Sequence, residues 1–181
     1  MALDLTAPEE THLKVLEKWR NAMDLVGPGP LEPHFEDAAQ AVSWIPADGH
    51  WVDLGSGAGF PGIALAARHP EIQVSLVESR QKRAVFLNQV LLRSGLSNAE
   101  VLHQRTEDLS MDHYQGVISR AYKPPQAALI EAKNLLQVNG IAVLLLAKIE
   151  IPKCPGMEVF HVERYLIEGK ERSAVGFRKI D

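Results

Sequence analysis

The sequence predicts an α/β protein: a mostly parallel, seven-stranded sheet that ends in an antiparallel hairpin and is preceded by helices. Three observations carry this. From His50 onward, short apolar strands alternate with amphipathic helices, which is the rhythm of parallel βα units. The first strand runs directly into a glycine-rich loop, as happens where a ligand meets the C-terminal edge of such a sheet. After Lys148 the alternation stops, and two strand-like runs follow with only a polar turn between them.

Each element has its own reason. Thr6-Ala7-Pro8-Glu9 forms a capping box, with Pro8 where a missing N–H costs nothing. Leu13, Leu16, Trp19, Met23 and Val26 then recur at helical spacing until Gly27-Pro28-Gly29-Pro30 stops the helix. A second helix starts at Pro33 and buries Phe35, Ala38, Val42 and Ile45, while His34 and Asp37 share a separate face. Strand His50 to Leu54 leads through Gly55-Ser56-Gly57-Ala58-Gly59-Phe60-Pro61-Gly62 into a helix at Ile63 to Arg68. Strand Ile72 to Val77 ends at Glu78, and a helix from Arg80 to Ser94 stops at Gly95, a natural C-terminal cap. Val101-Leu102 centres a third strand and Tyr114 to Ser119 a fourth. Pro124 or Pro125 opens the next helix, whose apolar face closes at Leu135-Leu136. Ile141 to Ala147 is apolar on both faces, as a central parallel strand should be. Met157 to Val162 and Ser173 to Ile180 are the hairpin strands, joined around Glu168-Gly169-Lys170-Glu171.

A chain of 181 residues with 46% apolar and 23% charged side chains builds one core without staples and is not disordered. We divide it as a single domain over 1–181: a helical extension at 1–48, a cofactor-binding βα core at 49–148 and a hairpin at 149–181. Cys154 is the single cysteine, which excludes an internal disulfide and any multi-cysteine zinc site; no metal is expected. The longest apolar run, Ile141 to Ala147, is far short of the ~20 residues that span a bilayer. With no signal peptide visible at the start, a cytoplasmic protein without a membrane partner is expected, and a monomer. Net charge is −4, but residues 1–50 hold 9 acidic and 3 basic side chains. Any contact with RNA must therefore use a local basic patch.

The glycine loop formally satisfies the dinucleotide pattern over Gly57 to Gly62, so the loop alone leaves a nicotinamide-dinucleotide module open. Three features favour S-adenosylmethionine. Asp53 can serve that ligand's amino-acid end, directly or through water, whereas it would sit badly beside a pyrophosphate. The chain leaves little room for the substrate domain of a dehydrogenase, and the terminal hairpin is how class I methyltransferases finish. Gly55, Gly57 and Gly59 let the backbone approach the ligand. Glu78, at the edge of the second strand, suits ribose hydroxyls, although the helix beginning near Arg80 also favours an acid there. Thr106-Glu107 follows the third strand, either beside an adenine or in a solvated loop.

Asp53 to Gly62, with its Phe-Pro-Gly ending, resembles the loop of the glucose-inhibited division protein B family, the RsmG-type methyltransferases. Val117-Ile118-Ser119-Arg120-Ala121 and Arg105-Thr106-Glu107 resemble two further signatures; Met23 to Val26, His34 to Asp37 and Ala174 to Lys179 match its two N-terminal elements and its closing strand. The resemblance covers the entire chain. It implies a class I, Rossmann-like, S-adenosylmethionine-dependent enzyme that methylates N7 of a guanine in 16S ribosomal RNA, with the RNA or the small subunit as partner. It further implies Gly55, Phe60, Thr106, Glu107 and Arg120 as cofactor or active-site positions, with Arg120 and Lys148 as catalytic candidates. Arg80, Lys82 and Arg83 are candidates for RNA phosphate, or form a solvated helix face. Asp24, Val26, Ala38 and Ile149 depart from the family's pattern, near the expected substrate contacts. Another RNA site or a small molecule is the alternative substrate. Guanine N7 already carries a lone pair, so neither Arg120 nor Lys148 is assigned a proton transfer.

Overall fold

The computed structural model describes residues 4–46, 48–147 and 150–181. Helices α1 (Ala7–Met23) and α2 (Glu32–Val42) precede the alternating core: β1 (His50–Leu54), α3 (Gly62–Arg68), β2 (Gln73–Val77), α4 (Gln81–Ser94), β3 (Ala99–Leu102), β4 (Tyr114–Arg120), α5 (Pro125–Leu135) and β5 (Leu136–Leu146). The hairpin is β6 (Met157–Ile167) and β7 (Lys170–Lys179). The sheet order is β3-β2-β1-β4-β5-β7-β6, parallel through β5, with β7 antiparallel to both β5 and β6. Chain direction across the sheet reverses between β1 and β4, so their C-terminal ends open a crevice, the usual ligand position in such sheets.

The core has two parts. Helices α1 to α4 cover one face through Leu16, Phe35, Val42, Ile63 and Phe86. On the other face, α5 packs Leu129, Ala132 and Leu135 against Val52, Val117 and Ala142. β1 must come close to β4: a methyl group at Gly116 would lie 1.9 Å from the Trp51 ring.

The capping box of α1 forms as expected, but the helix ends at Met23, with Asp24 left-handed at φ 44°, so Val26 lies beyond it. Its most buried face is also not the apolar stripe alone. Glu9 and His12 are fully buried, while Leu13, Trp19 and Met23 are only partly so. Hydrogen bonds offset the burial of Glu9, which caps Thr6 and takes both oxygens to Arg68, at 2.8 and 2.9 Å.

The hairpin strands are longer than the expected 157–162 and 173–180. β6 continues through Glu163 and Arg164 because an edge strand needs only one apolar face, which polarity alone does not reveal. The turn contracts to Glu168-Gly169, both left-handed (φ 49° and 73°), matching the twist of a two-residue hairpin. β5 likewise begins before Gly140, through a register shift opposite Gln115 that makes a bulge of the exposed Gln137, Val138 and Asn139.

Candidate functional site

The glycine loop leaves β1 with Gly55, Gly57 and Gly59 at φ 67°, 54° and 93°, values that only glycine adopts freely. Two of them are also packed tightly. A methyl group on Gly55 would meet Tyr122 at 2.4 Å, and one on Gly59 would meet Ile63 at 2.3 Å. Gly57 differs: its nearest neighbours would be 3.7 Å away, so its backbone stays approachable.

Asp53 lies beneath the loop, fully buried. Its Oδ2 accepts from the Gly62 amide at 3.2 Å, fixing the start of α3. Its Oδ1 has no hydrogen-bond partner among the described residues. Burial pushes its carboxyl up to about 7, against the smaller opposing effects of Ser56, Gly62 and Arg120. Oδ1 is sealed from solvent, so the cationic amino-acid end of S-adenosylmethionine would act on it through water or across the loop and favour its charged form.

Glu78 is 5% exposed and joins the next helix to the glycine loop. Its Oε1 accepts from the Arg80 amide at 2.7 Å, holding the start of α4, and its Oε2 accepts from Gly57 at 3.1 Å. A carboxylate has about four acceptor sites, so capacity remains for ribose hydroxyls. Glu78→Ala is expected to weaken S-adenosylhomocysteine binding by about 1–3 kcal/mol, from lost charged hydrogen bonds. Calorimetric titration checks this; unchanged affinity would reduce Glu78 to a helix-capping acid.

Phe60 is buried rather than open to a ligand. Its ring meets Phe35 edge-on at 4.8 Å, stacks with His34 at 5.6 Å and lies 4.7 Å from His12. The Arg120 guanidinium sits over it at 4.8 Å. Thr106 is buried and hydrogen-bonded to the Tyr122 hydroxyl, whereas the Glu107 carboxylate is exposed and paired with Lys123 at 3.2 Å. Arg120 leaves β4 toward α2, where it donates to Asp37 Oδ2 at 3.1 Å. Asp37 Oδ1 accepts from the Tyr165 hydroxyl at 2.9 Å, so α2, β4 and β6 meet at one carboxylate. Beside this group, at the C-terminal ends of β4 and β5, a cavity of about 1100 Å³ is lined by His34, Asp37, Arg120, Lys123, Lys153 and Arg172, among others. Burial, then the nearby Arg120, lowers the His34 pKa.

Other expected positions are less concentrated. Arg80 and Lys82 are exposed at the start of α4 beside the glycine loop, and Arg83 donates to the Asp24 carbonyl at 3.1 Å. Lys148 and Ile149 lie outside the described residues. Ala38, expected near substrate, is instead fully buried in the core.

Sequence reasoning missed His12. Its Nε2 bonds the Ala58 carbonyl at 2.7 Å, tying α1 to the glycine loop, while its Nδ1 is unpaired among the described residues. The signal was a histidine one turn before Leu16, on the buried stripe. Desolvation lowers its pKa to about 4, so folding favours the neutral ring. Protons bind the unfolded ring first, so this contribution is present above about pH 6.5 and is lost as pH falls toward 4. The stability difference between the wild type and His12→Gln is expected to shrink by up to about 3 kcal/mol over that interval, as urea titrations at several pH values would show. A constant difference would mean that the ring stays accessible to protons.

The sequence profile of the GidB family, rRNA small subunit methyltransferase G, matches residues 9–154. The chain belongs to this family. A relative named ribosomal RNA small subunit methyltransferase G, from Methylibium petroleiphilum, is 30% identical over 93% of this chain and 84% of its own. One of the same name from Paracoccus denitrificans is 32% identical over 75% and 72%. The fold is also that of a SAM-dependent methyltransferase from Aquifex aeolicus, with a TM-score of 0.62 at 15% identity, covering 98% of this chain and 100% of that one. As a GidB family member the protein is an S-adenosylmethionine-dependent methyltransferase, and the glycine loop with Asp53 and Glu78 fits that cofactor.

Proposed function

We propose that the protein transfers the methyl group of S-adenosylmethionine to N7 of a guanine in 16S ribosomal RNA, in the cytoplasm. The observation that carries this is the position of Arg120: beside the glycine loop through Phe60, and on the wall of the cavity. An arginine there donates to guanine O6 and leaves the N7 lone pair free to attack. Lys153 and Arg172 on the cavity wall suit the phosphates flanking a base turned out of its stack, whereas Lys123 is already paired with Glu131 and Glu107. Arg80 and Lys82, exposed at the start of α4, are further candidates for RNA phosphate.

The cofactor supplies an electrophilic methyl group on a sulfonium that leaves readily. The chain's residues supply alignment. The glycine loop and Glu78 would hold the nucleoside end, Asp53 beneath the loop would attract the amino-acid end, and the Asp37-held Arg120 would orient the base. Holding the two reacting atoms close and in line can account for most of the acceleration, because N7 needs no deprotonation. Mass mapping of 16S RNA treated with the protein and S-adenosylmethionine tests the proposal: one guanine should gain a methyl group at N7. Modification of another RNA position, or of none, would overturn it.

A further inference from the structure

Between β4 and α5 the chain turns at Ala121, whose φ of 53° is a conformation that costs an alanine energy. This turn sends its two neighbours to different places. Arg120 reaches Asp37 and the cavity, whereas Tyr122 reaches the glycine loop. The Tyr122 ring lies on Gly55 so closely that no side chain fits between them. Its hydroxyl donates to Glu131 Oε1 at 3.2 Å, which makes Thr106 the donor in the second hydrogen bond to that oxygen. Lys123 completes the frame by bridging Glu131 at 2.6 Å and Glu107 at 3.2 Å.

The ring is therefore held at both ends, on Gly55 below and through its hydroxyl to the turn after β3. It is half-buried: one part packs against the core that α5 covers, and part of its surface stays open beside the glycine loop. We propose that Tyr122 is a cofactor-binding residue whose fixed ring is the wall against which the purine nucleoside of S-adenosylmethionine packs. This rests on the methyltransferase reading of the site. Tethering the hydroxyl gives the ring a fixed orientation before the ligand arrives, and a prepaid ordering cost strengthens binding. The same segment then serves both reactants, with Arg120 on the base and Tyr122 on the nucleoside.

Tyr122→Ala is expected to bind S-adenosylhomocysteine about tenfold or more weakly in calorimetric titration, as when a stacking ring is removed. Tyr122→Phe, which keeps the ring, should stay within about threefold of the wild type. Unchanged or tighter binding by the alanine variant overturns the proposal, and so does a phenylalanine variant as weak as the alanine one. A measurement on the wild type avoids any folding defect. With ring-labelled tyrosine, S-adenosylhomocysteine should shift the Tyr122 resonances more than those of Tyr114 and Tyr165; an equal or smaller shift overturns it. A wild type that does not bind S-adenosylhomocysteine would instead overturn the methyltransferase reading, and this proposal with it.

Discussion

Methyl transfer is expected to fall by at least about a thousandfold, to background, when the target guanine is replaced by 7-deazaguanine, because the substitution removes the lone pair that attacks the methyl group. Binding of the same RNA should change by no more than about threefold, since phosphate contacts dominate affinity and remain intact. Transfer of a labelled methyl group and filter binding, run on paired synthetic RNAs, separate the two effects. The competing idea is base catalysis by His34, the imidazole on the cavity wall. That route would give a rate climbing steeply through a histidine-like pKa, and it would methylate the deaza substrate at another atom. Methylated 7-deaza RNA would show that the reacting atom is not N7.

Asp37→Ala should lower kcat by about 10- to 100-fold while leaving affinity for S-adenosylhomocysteine within a few-fold. The reason is positional. Asp37 receives the Arg120 guanidinium on one oxygen and the Tyr165 hydroxyl on the other, so its loss frees Arg120 and leaves the hydroxyl without its side-chain acceptor. The pair is only partly shielded, with side chains 19% and 11% exposed, so the accompanying loss of stability should be about 1–3 kcal/mol. Asp37→Asn, which still accepts from Tyr165, should fall between the wild type and Asp37→Ala. The double variant Asp37→Ala/Arg120→Ala should be no slower than Arg120→Ala alone if Asp37 acts through Arg120. Additive losses in kcat would contradict that and give Asp37 a contact of its own with substrate.

Much of the βα core was legible because its signals are local. The Thr6 capping box, the stop at Gly95 and the alternation after His50 each need only neighbouring residues, and each element stands close to its expected place. The candidate site was legible in part. Glycines at 55, 57 and 59 announce a backbone that must turn through left-handed conformations, and the structure uses them so. What each glycine faces was not written there: Tyr122 is 67 positions from Gly55, and His12 is 46 from the Ala58 carbonyl it holds. The sequence also did not show that the Phe60 ring sits in the core, where aromatic rings from α1 and α2 and Arg120 from β4 converge on it.

The sequence by itself determined the element types, the parallel sheet with its terminal hairpin and the glycine cradle, because periodicity, capping and turn chemistry act over a few residues. Tertiary structure alone decided that β7 inserts between β5 and β6, that Asp53 is buried with one oxygen unpaired among the described residues, and that Arg120 and Tyr165 share the Asp37 carboxylate. Those outcomes depend on which distant groups pack together. Once water is excluded, every buried charge must find a partner or shift its pKa, and the partners come from whichever elements the sheet order brings alongside.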